Sequence, residues 1–154
     1  MRLSEILAPE GVKYVSHVTS KKRLFHDLGD LAEDALGIRC QLAVDALMER
    51  EALGPTGVGH GVALPHARLD CIERVSGIFV RVERPIDFDA VDRQPVDLVF
   101  TLFAPADAGV EHLKALALVS RTMRDADVCT KLRANIDTAS LHAILTEGPA
   151  SKAA

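Results

Sequence analysis

A single α/β domain is what this sequence predicts, and three observations predict it. The chain has 154 residues, of which 48% are hydrophobic and 26% charged, a balance that supports an ordered core; a chain this long buries roughly two-thirds of the surface its unfolded form exposes. Stretches with apolar residues at helical spacing alternate with apolar runs too brief for helices, the element order of an α/β protein. The run VDLVFTLFAP at 96–105 has little polar relief, as befits a strand covered by helices on both faces and lying at the centre of the sheet.

The elements follow in order. VKYV at 12–15 is a strand candidate. SKKRLFHDLGDLAEDALG at 20–37 sets Leu24, Phe25, Leu28, Leu31, Ala32, Ala35 and Leu36 at helical spacing, with Ser20 as N-cap and Gly37 as the stop. QLAVDALMEREALG at 41–54 predicts a second helix with Leu42, Ala43, Ala46 and Leu47 as its buried stripe and the pair Arg50 and Glu51 at its end. Val75–Val82 alternates as a strand and is closed by the turn-prone ERP. After the central strand, GVEHLKALALVSRTMRD predicts a helix with Leu113, Leu116, Ala117 and Met123 inward, and shorter helical patterns run over Val128–Ala134 and Ala139–Thr146. Residues 1–147 form the expected domain, and the tail at 148–154, GPASKAA, is expected to fray.

Charge and composition exclude several functions. The net charge is −4 and the only basic cluster is KKR at 21–23, read as a solvated helix start, so no nucleic-acid partner is expected. Cys40, Cys71 and Cys129 are odd in number and form no CxxC pair, which fits reduced thiols in a cytoplasmic protein. No stretch has the ~18 consecutive apolar residues of a membrane span, and MRLSEILAPEG lacks the apolar core of a secretory signal.

The stretch TGVGHGVALPHARLD at 56–70 holds the candidate chemistry. Its GxGxG spacing departs from the GxGxxG of dinucleotide sites, no Lys-Ser/Thr follows as in a P-loop, and Val62-Ala63-Leu64 reads as extended. Pro65 fixes its own φ and biases Leu64 to an extended conformation, so His66 is expected at the rigid end of an apolar segment. A neutral imidazole is a competent nucleophile toward phosphorus near pH 7. Arg50 can offer paired donors to phosphoryl oxygens, and His112, in the first turn of the helix after the central strand, can offer a ring N–H. Each has an ordinary alternative: His66 a hydrogen bond at a strand end, Arg50 an ion pair with Glu51 or Asp45, His112 a helix cap.

GPTGVGHGVALPHARLD, PIDFDAVDRQPVDLVFTLFAP and EHLKALALVSRTMRD together resemble the mannitol/fructose-type enzyme IIA domains of the bacterial phosphoenolpyruvate-dependent phosphotransferase system. The likeness runs from LSEIL at 3–7 to LHAIL at 141–145 and is strongest to the stand-alone, nitrogen-related branch of that family. It implies a mixed β-sheet flanked by helices. It also implies that His66 takes a phosphoryl group from the phosphohistidine of a small histidine phosphocarrier protein, itself charged by an enzyme I, while His112 and Arg50 support that group. Regulatory target proteins are the implied readers; the alternative is a sugar-specific IIA that passes phosphate to a IIB domain for fructose or mannitol uptake. Thr56 and Gly57 are candidate loop contacts, and Val58, Val62 and Leu64 a candidate apolar rim. No cofactor is implied, and His60 with His66 makes no recognised metal spacing. The sequence departs from the family pattern at Pro55, commonly Ser, at His60, frequently Asn, and at Arg93, usually Gly.

Overall fold

The computed structural model describes residues 1–149; most of the tail expected to fray lies outside the described residues. Twelve elements follow one another: α1 (Leu3–Ile6), β1 (Leu7–Val15), α2 (Lys21–Leu36), α3 (Cys40–Glu51), β2 (Gly57–Gly59), β3 (Val62–Ala63), β4 (His66–Leu69), β5 (Ser76–Ile86), β6 (Val96–Pro105), α4 (Gly109–Arg124), α5 (Ala126–Arg133) and α6 (Thr138–Glu147). The six strands form one mixed sheet in the order β1-β5-β6-β3-β2, with β4 also paired to β6. β1 runs parallel to β5, β5 antiparallel to β6, and both β3 and β4 parallel to β6.

Helices cover both faces, and alternation along β6 shows why its sequence has no polar side. Val99 and Phe103 pack into a core with Leu24, Phe25, Leu28 and Leu47 of α2 and α3. Leu98, Phe100 and Leu102 pack oppositely, against Ala115, Val119, Leu132 and Leu141 of α4, α5 and α6. VDLVFTLFAP is thus the sheet's centre, as its composition predicts.

Local signals account for most boundaries. Ser20 accepts a hydrogen bond from Arg23 N at 3.0 Å, and Gly37 leaves α2 in the left-handed conformation at φ 72°, the two ends expected from sequence. Asp125 and Asp137 cap α5 and α6 through Val128 N and Ser140 N, each at 3.0 Å. The second helix differs from expectation on its inner face: Ala43, Val44 and Leu47 are buried while Leu42 is 43% exposed. KKR is not simply solvated either. Lys21 Nζ bonds Glu51 at 2.9 Å and Phe88 O at 2.9 Å and sits over the Phe88 ring, fastening the start of α2 to the end of α3.

The glycine run makes a hairpin. β2 and β3 pair antiparallel across His60 and Gly61, whose φ values are 56° and 79°, the consecutive positive φ of a two-residue type I′ turn. A Cβ on Gly61 would lie 2.5 Å from Arg133 Nη2 and 2.8 Å from Asp97 Oδ1; Arg133 clamps the turn by bonding both carboxylate oxygens of Asp97 and the carbonyl of His60. Glycine is therefore required there by backbone geometry and by the clamp.

Candidate functional site

β3 and β4 are two pieces of one strand. Val62 pairs with Leu98, Ala63 with Val99, and the same offset resumes with His66 opposite Leu102 and Leu69 opposite Pro105. The gap is Leu64-Pro65. Proline has no N–H to give the ladder, yet its carbonyl accepts from Leu102 N at 3.0 Å, so the register survives. His66 thus opens a strand that continues to Leu69, where the sequence reading expected a segment ending at Pro65. The rigidity expected for His66 is present, with β6 as its source.

Strand alternation buries Ala67 and Leu69 and turns His66 and Arg68 to the other side. His66 and Arg68 meet His112, which is 5% exposed in the first turns of α4, together with Arg50 at the end of α3 and Leu53 in the turn after it; these residues line a cleft of about 510 Å³. The two imidazole centroids lie 5.5 Å apart with ring planes at 69°. The inward face of α4 consists of His112, Ala115, Val119, Thr122 and Met123, whereas Leu113 is 65% exposed. Of the expected stripe Met123 is buried and Leu116 packs partly against the core, whereas Leu113 and Ala117 face outward, and a histidine, not a leucine, takes the core-facing place in the first turns.

Hydrogen bonds give the two rings opposite tautomers. His66 Nδ1 lies 2.9 Å from Leu64 O; a carbonyl only accepts, so Nδ1 carries the proton and Nε2 keeps its lone pair. His112 Nδ1 lies 3.2 Å from Arg68 Nε; a guanidinium only donates, so this Nδ1 is unprotonated and the neutral ring holds its proton on Nε2. Among the described residues His112 Nε2 is buried without a hydrogen-bond partner. Burial depresses the pKa of both rings below the ordinary histidine value; the charge of Arg50 lowers His66 further, and His66 and Arg68 lower His112. Both are neutral at pH 7.

Of the residues singled out from sequence, His66, His112 and Arg50 meet in this cleft, and Arg50 Nη1 donates to Gly54 O at 2.9 Å rather than pairing with Glu51 or Asp45. Thr56 and Gly57 do not join them. The Thr56 hydroxyl and N–H both bond Glu51, at 2.5 and 2.9 Å, and Gly57 packs against Ala90 so closely that a Cβ would fall 2.7 Å from the Ala90 Cβ. Val58, Val62 and Leu64 do not rim the cleft; with His60 they line a separate cavity bounded by α5 and the C-terminal half of α4. Arg68 is the residue that sequence reading missed. Its signal was available: two positions after His66, on the same face of any strand. Glu51 was named only as the partner of Arg50, and its role in holding Thr56 and Lys21 had no sequence signal.

With this geometry in view, the relatives can be placed. The family described as "Phosphoenolpyruvate-dependent sugar phosphotransferase system, EIIA 2" matches residues 5–148, and the chain belongs to it; it is a phosphocarrier or regulatory component of such a system. Within that class, a nitrogen regulatory protein of Bradyrhizobium diazoefficiens is 43% identical over 153 residues, covering 99% of this chain and 100% of the relative. The crystal structure of nitrogen regulatory protein IIA-Ntr from Neisseria meningitidis matches with a TM-score of 0.87 at 35% identity, over 94% of this chain and 99% of that one. IIA mannitol from Escherichia coli shares the fold, with a TM-score of 0.75 at 18% identity over 90% and 97% of the two chains. Among the described residues no helix is long and apolar enough to cross a membrane.

Proposed function

We propose that the protein accepts a phosphoryl group on Nε2 of His66 from the phosphohistidine of a small phosphocarrier protein, charged in turn from phosphoenolpyruvate by an enzyme I, and regulates nitrogen-related or ion metabolism through its phosphorylation state. The opposite tautomers carry this reading. His66 offers a lone pair at Nε2 because Leu64 O holds its other proton, whereas His112 offers an N–H, the group that stabilises phosphoryl oxygens rather than attacking phosphorus. In the transfer, the donor ring enters protonated on its second nitrogen. Its N–P bond breaks with the electron pair left on the donor nitrogen, the Nε2 lone pair of His66 forms the new N–P bond, and His66 retains its Nδ1 proton. Proton and charge balance without an added base. Arg50 and Arg68 then face the transferred group across the cleft.

Phosphorylation adds roughly 1.5 to 2 negative charges to a cleft that carries two guanidinium groups, which largely cancels their positive charge and gives a target protein two distinguishable surfaces. The 43% identity to a nitrogen regulatory protein favours such regulation, in the cytoplasm, where free thiols like those of Cys40, Cys71 and Cys129 persist. A second reading, transfer onward to a sugar-specific IIB domain, draws on the family's description as a sugar system. Incubation with phosphoenolpyruvate, enzyme I and the phosphocarrier should give acid-labile phosphate on wild type and none on His66→Ala. His112→Ala should slow labelling while leaving it at His66. Unlabelled wild type, or labelled His66→Ala, would overturn the proposal, and efficient transfer to a fructose or mannitol IIB would favour the second reading.

A further inference from the structure

We propose that Arg68 is the positioning residue that commits His112 to its role as phosphoryl-oxygen donor, by holding the His112 ring in the Nε2–H tautomer; this rests on His66 being the phosphoryl acceptor. Two histidines whose rings nearly touch are chemically interchangeable unless something breaks their symmetry. On His66 the Leu64 carbonyl does so by accepting from Nδ1. On His112 no carbonyl plays that part: Nδ1 faces Arg68 Nε at 3.2 Å, and a guanidinium has five donors and no acceptor. A proton on His112 Nδ1 would set N–H against N–H, so while this contact stands the ring is neither the Nδ1–H tautomer nor imidazolium.

The consequence falls on Nε2. It is buried, without a partner among the described residues, on a residue 5% exposed, and an unpaired buried N–H is destabilising. A phosphoryl oxygen on the adjoining His66 ring removes that cost, so the unpaired donor favours the phosphorylated state. Arg68 is suited to the task by its own placement. Its guanidinium is exposed and stays charged, and it reaches His112 from β4, the strand that presents His66, so acceptor and donor are indexed to one backbone segment. The other charged groups near the His112 ring are Arg50 and Glu49 across the cleft and Glu111 and Lys114 on its own helix; the last two pair with each other at 3.7 Å and are exposed.

The test uses protein labelled with 15N in its histidines, comparing wild type, Arg68→Met and Arg68→Lys. Wild type should show His112 as neutral Nε2–H at pH 7 to 8, protonating only below the ordinary histidine range. Arg68→Met should show His112 in mixed tautomers, protonating at higher pH than wild type, and should accept phosphate from the phosphocarrier roughly 10- to 100-fold more slowly, the usual cost of losing an orienting partner. Arg68→Lys, which keeps a cation that only donates, should recover most of the tautomer and the rate. Because Arg68 is exposed, melting temperatures should stay together, and the nitrogen shifts read the tautomer whether or not transfer is slowed. Unaltered His112 shifts in Arg68→Met overturn this inference alone, since phosphate on His66 is scored separately; absent labelling of wild type overturns the proposed function instead.

Discussion

Replacing Glu51 by Ala removes the acceptor at the hub of three elements, and the structure supplies the magnitude. The carboxylate side chain is only 8% exposed and takes hydrogen bonds from Lys21 Nζ at 2.9 Å, Thr56 N at 2.9 Å and the Thr56 hydroxyl at 2.5 Å. Bonds to a charged acceptor contribute about 1.5–3 kcal/mol, and a buried N–H left unpaired costs about 1–3 kcal/mol. Thr56 is 4% exposed, so water does not replace the bonds it loses. Lys21, by contrast, keeps Phe88 O and the Phe88 ring and has 21% of its side chain in water, so its share is small. The expected loss is about 3 kcal/mol in Glu51→Ala, which for a chain of this size lowers Tm by roughly 6–12 °C. Glu51→Gln keeps an acceptor for Thr56 and loses the charge, so about half that loss is expected. Urea unfolding with coincident fluorescence-free probes, such as far-ultraviolet circular dichroism and proteolysis, measures both. A loss under about 1 kcal/mol in the alanine variant, or equal losses in the two, would refute the assignment of the stability to the Thr56 bonds.

Two further outcomes are expected. Arg93 and His60 both have positive φ, 61° and 56°, a conformation costing about 1–2 kcal/mol for an ordinary L-residue; after the backbone entropy that glycine adds, Arg93→Gly should raise stability by roughly 0.5–1 kcal/mol in denaturant titration, and a loss would show that the Arg93 side chain holds the loop. The lowered pKa values of His66 and His112 mean that the unfolded chain binds protons at these two sites below pH 6.5 while the native state does not, so their contribution is complete above 6.5 and declines as pH falls toward the native values. Unfolding midpoints should therefore drop between pH 7.5 and 5.5, and the slope should flatten in the His66→Gln/His112→Gln double variant; an unchanged slope would assign it to other groups.

How much could be seen in the sequence follows from where the information sits. Caps and stops are local chemistry, so α2 was bounded correctly by Ser20 and Gly37; β6 was found at the sheet's centre because burial on both faces erases alternation. Inner faces of helices were less readable, since α3 and α4 present Val44 and His112 where hydropathy favours Leu42 and Leu113. Hydropathy ranks residues by transfer free energy, whereas a ring held by a hydrogen bond from Arg68 and packed on His66 is buried for another reason. The motif's glycines invited a phosphate reading, yet Gly61 answers to Arg133, 72 residues away in a helix that no local pattern links to it. Two of the departures from the family pattern gained a physical meaning only with dihedral angles: Asn and Gly suit the left-handed conformation that His60 and Arg93 here adopt.

The unprotonated nitrogen of His66 depends on a hydrogen bond that the sheet declines to make. Leu64 N donates to Thr56 O at 2.9 Å, and in an antiparallel pair of this kind the reciprocal bond would run from Thr56 N to Leu64 O. Glu51 takes the Thr56 N–H instead. Leu64 O, on the side of the strand turned away from β6, accepts from His66 Nδ1, and the Pro65 carbonyl between them is the one that serves Leu102. A carboxylate at the end of α3 thereby keeps a strand carbonyl available, and that carbonyl selects which nitrogen of His66 keeps its lone pair. The same substitution that costs stability in Glu51→Ala should accordingly show in the 15N shifts of His66, with the Nδ1–H tautomer diluted as Thr56 N–H turns to Leu64 O. Retention of a pure Nδ1–H ring alongside the full loss of stability would separate the two roles and confine Glu51 to the fold.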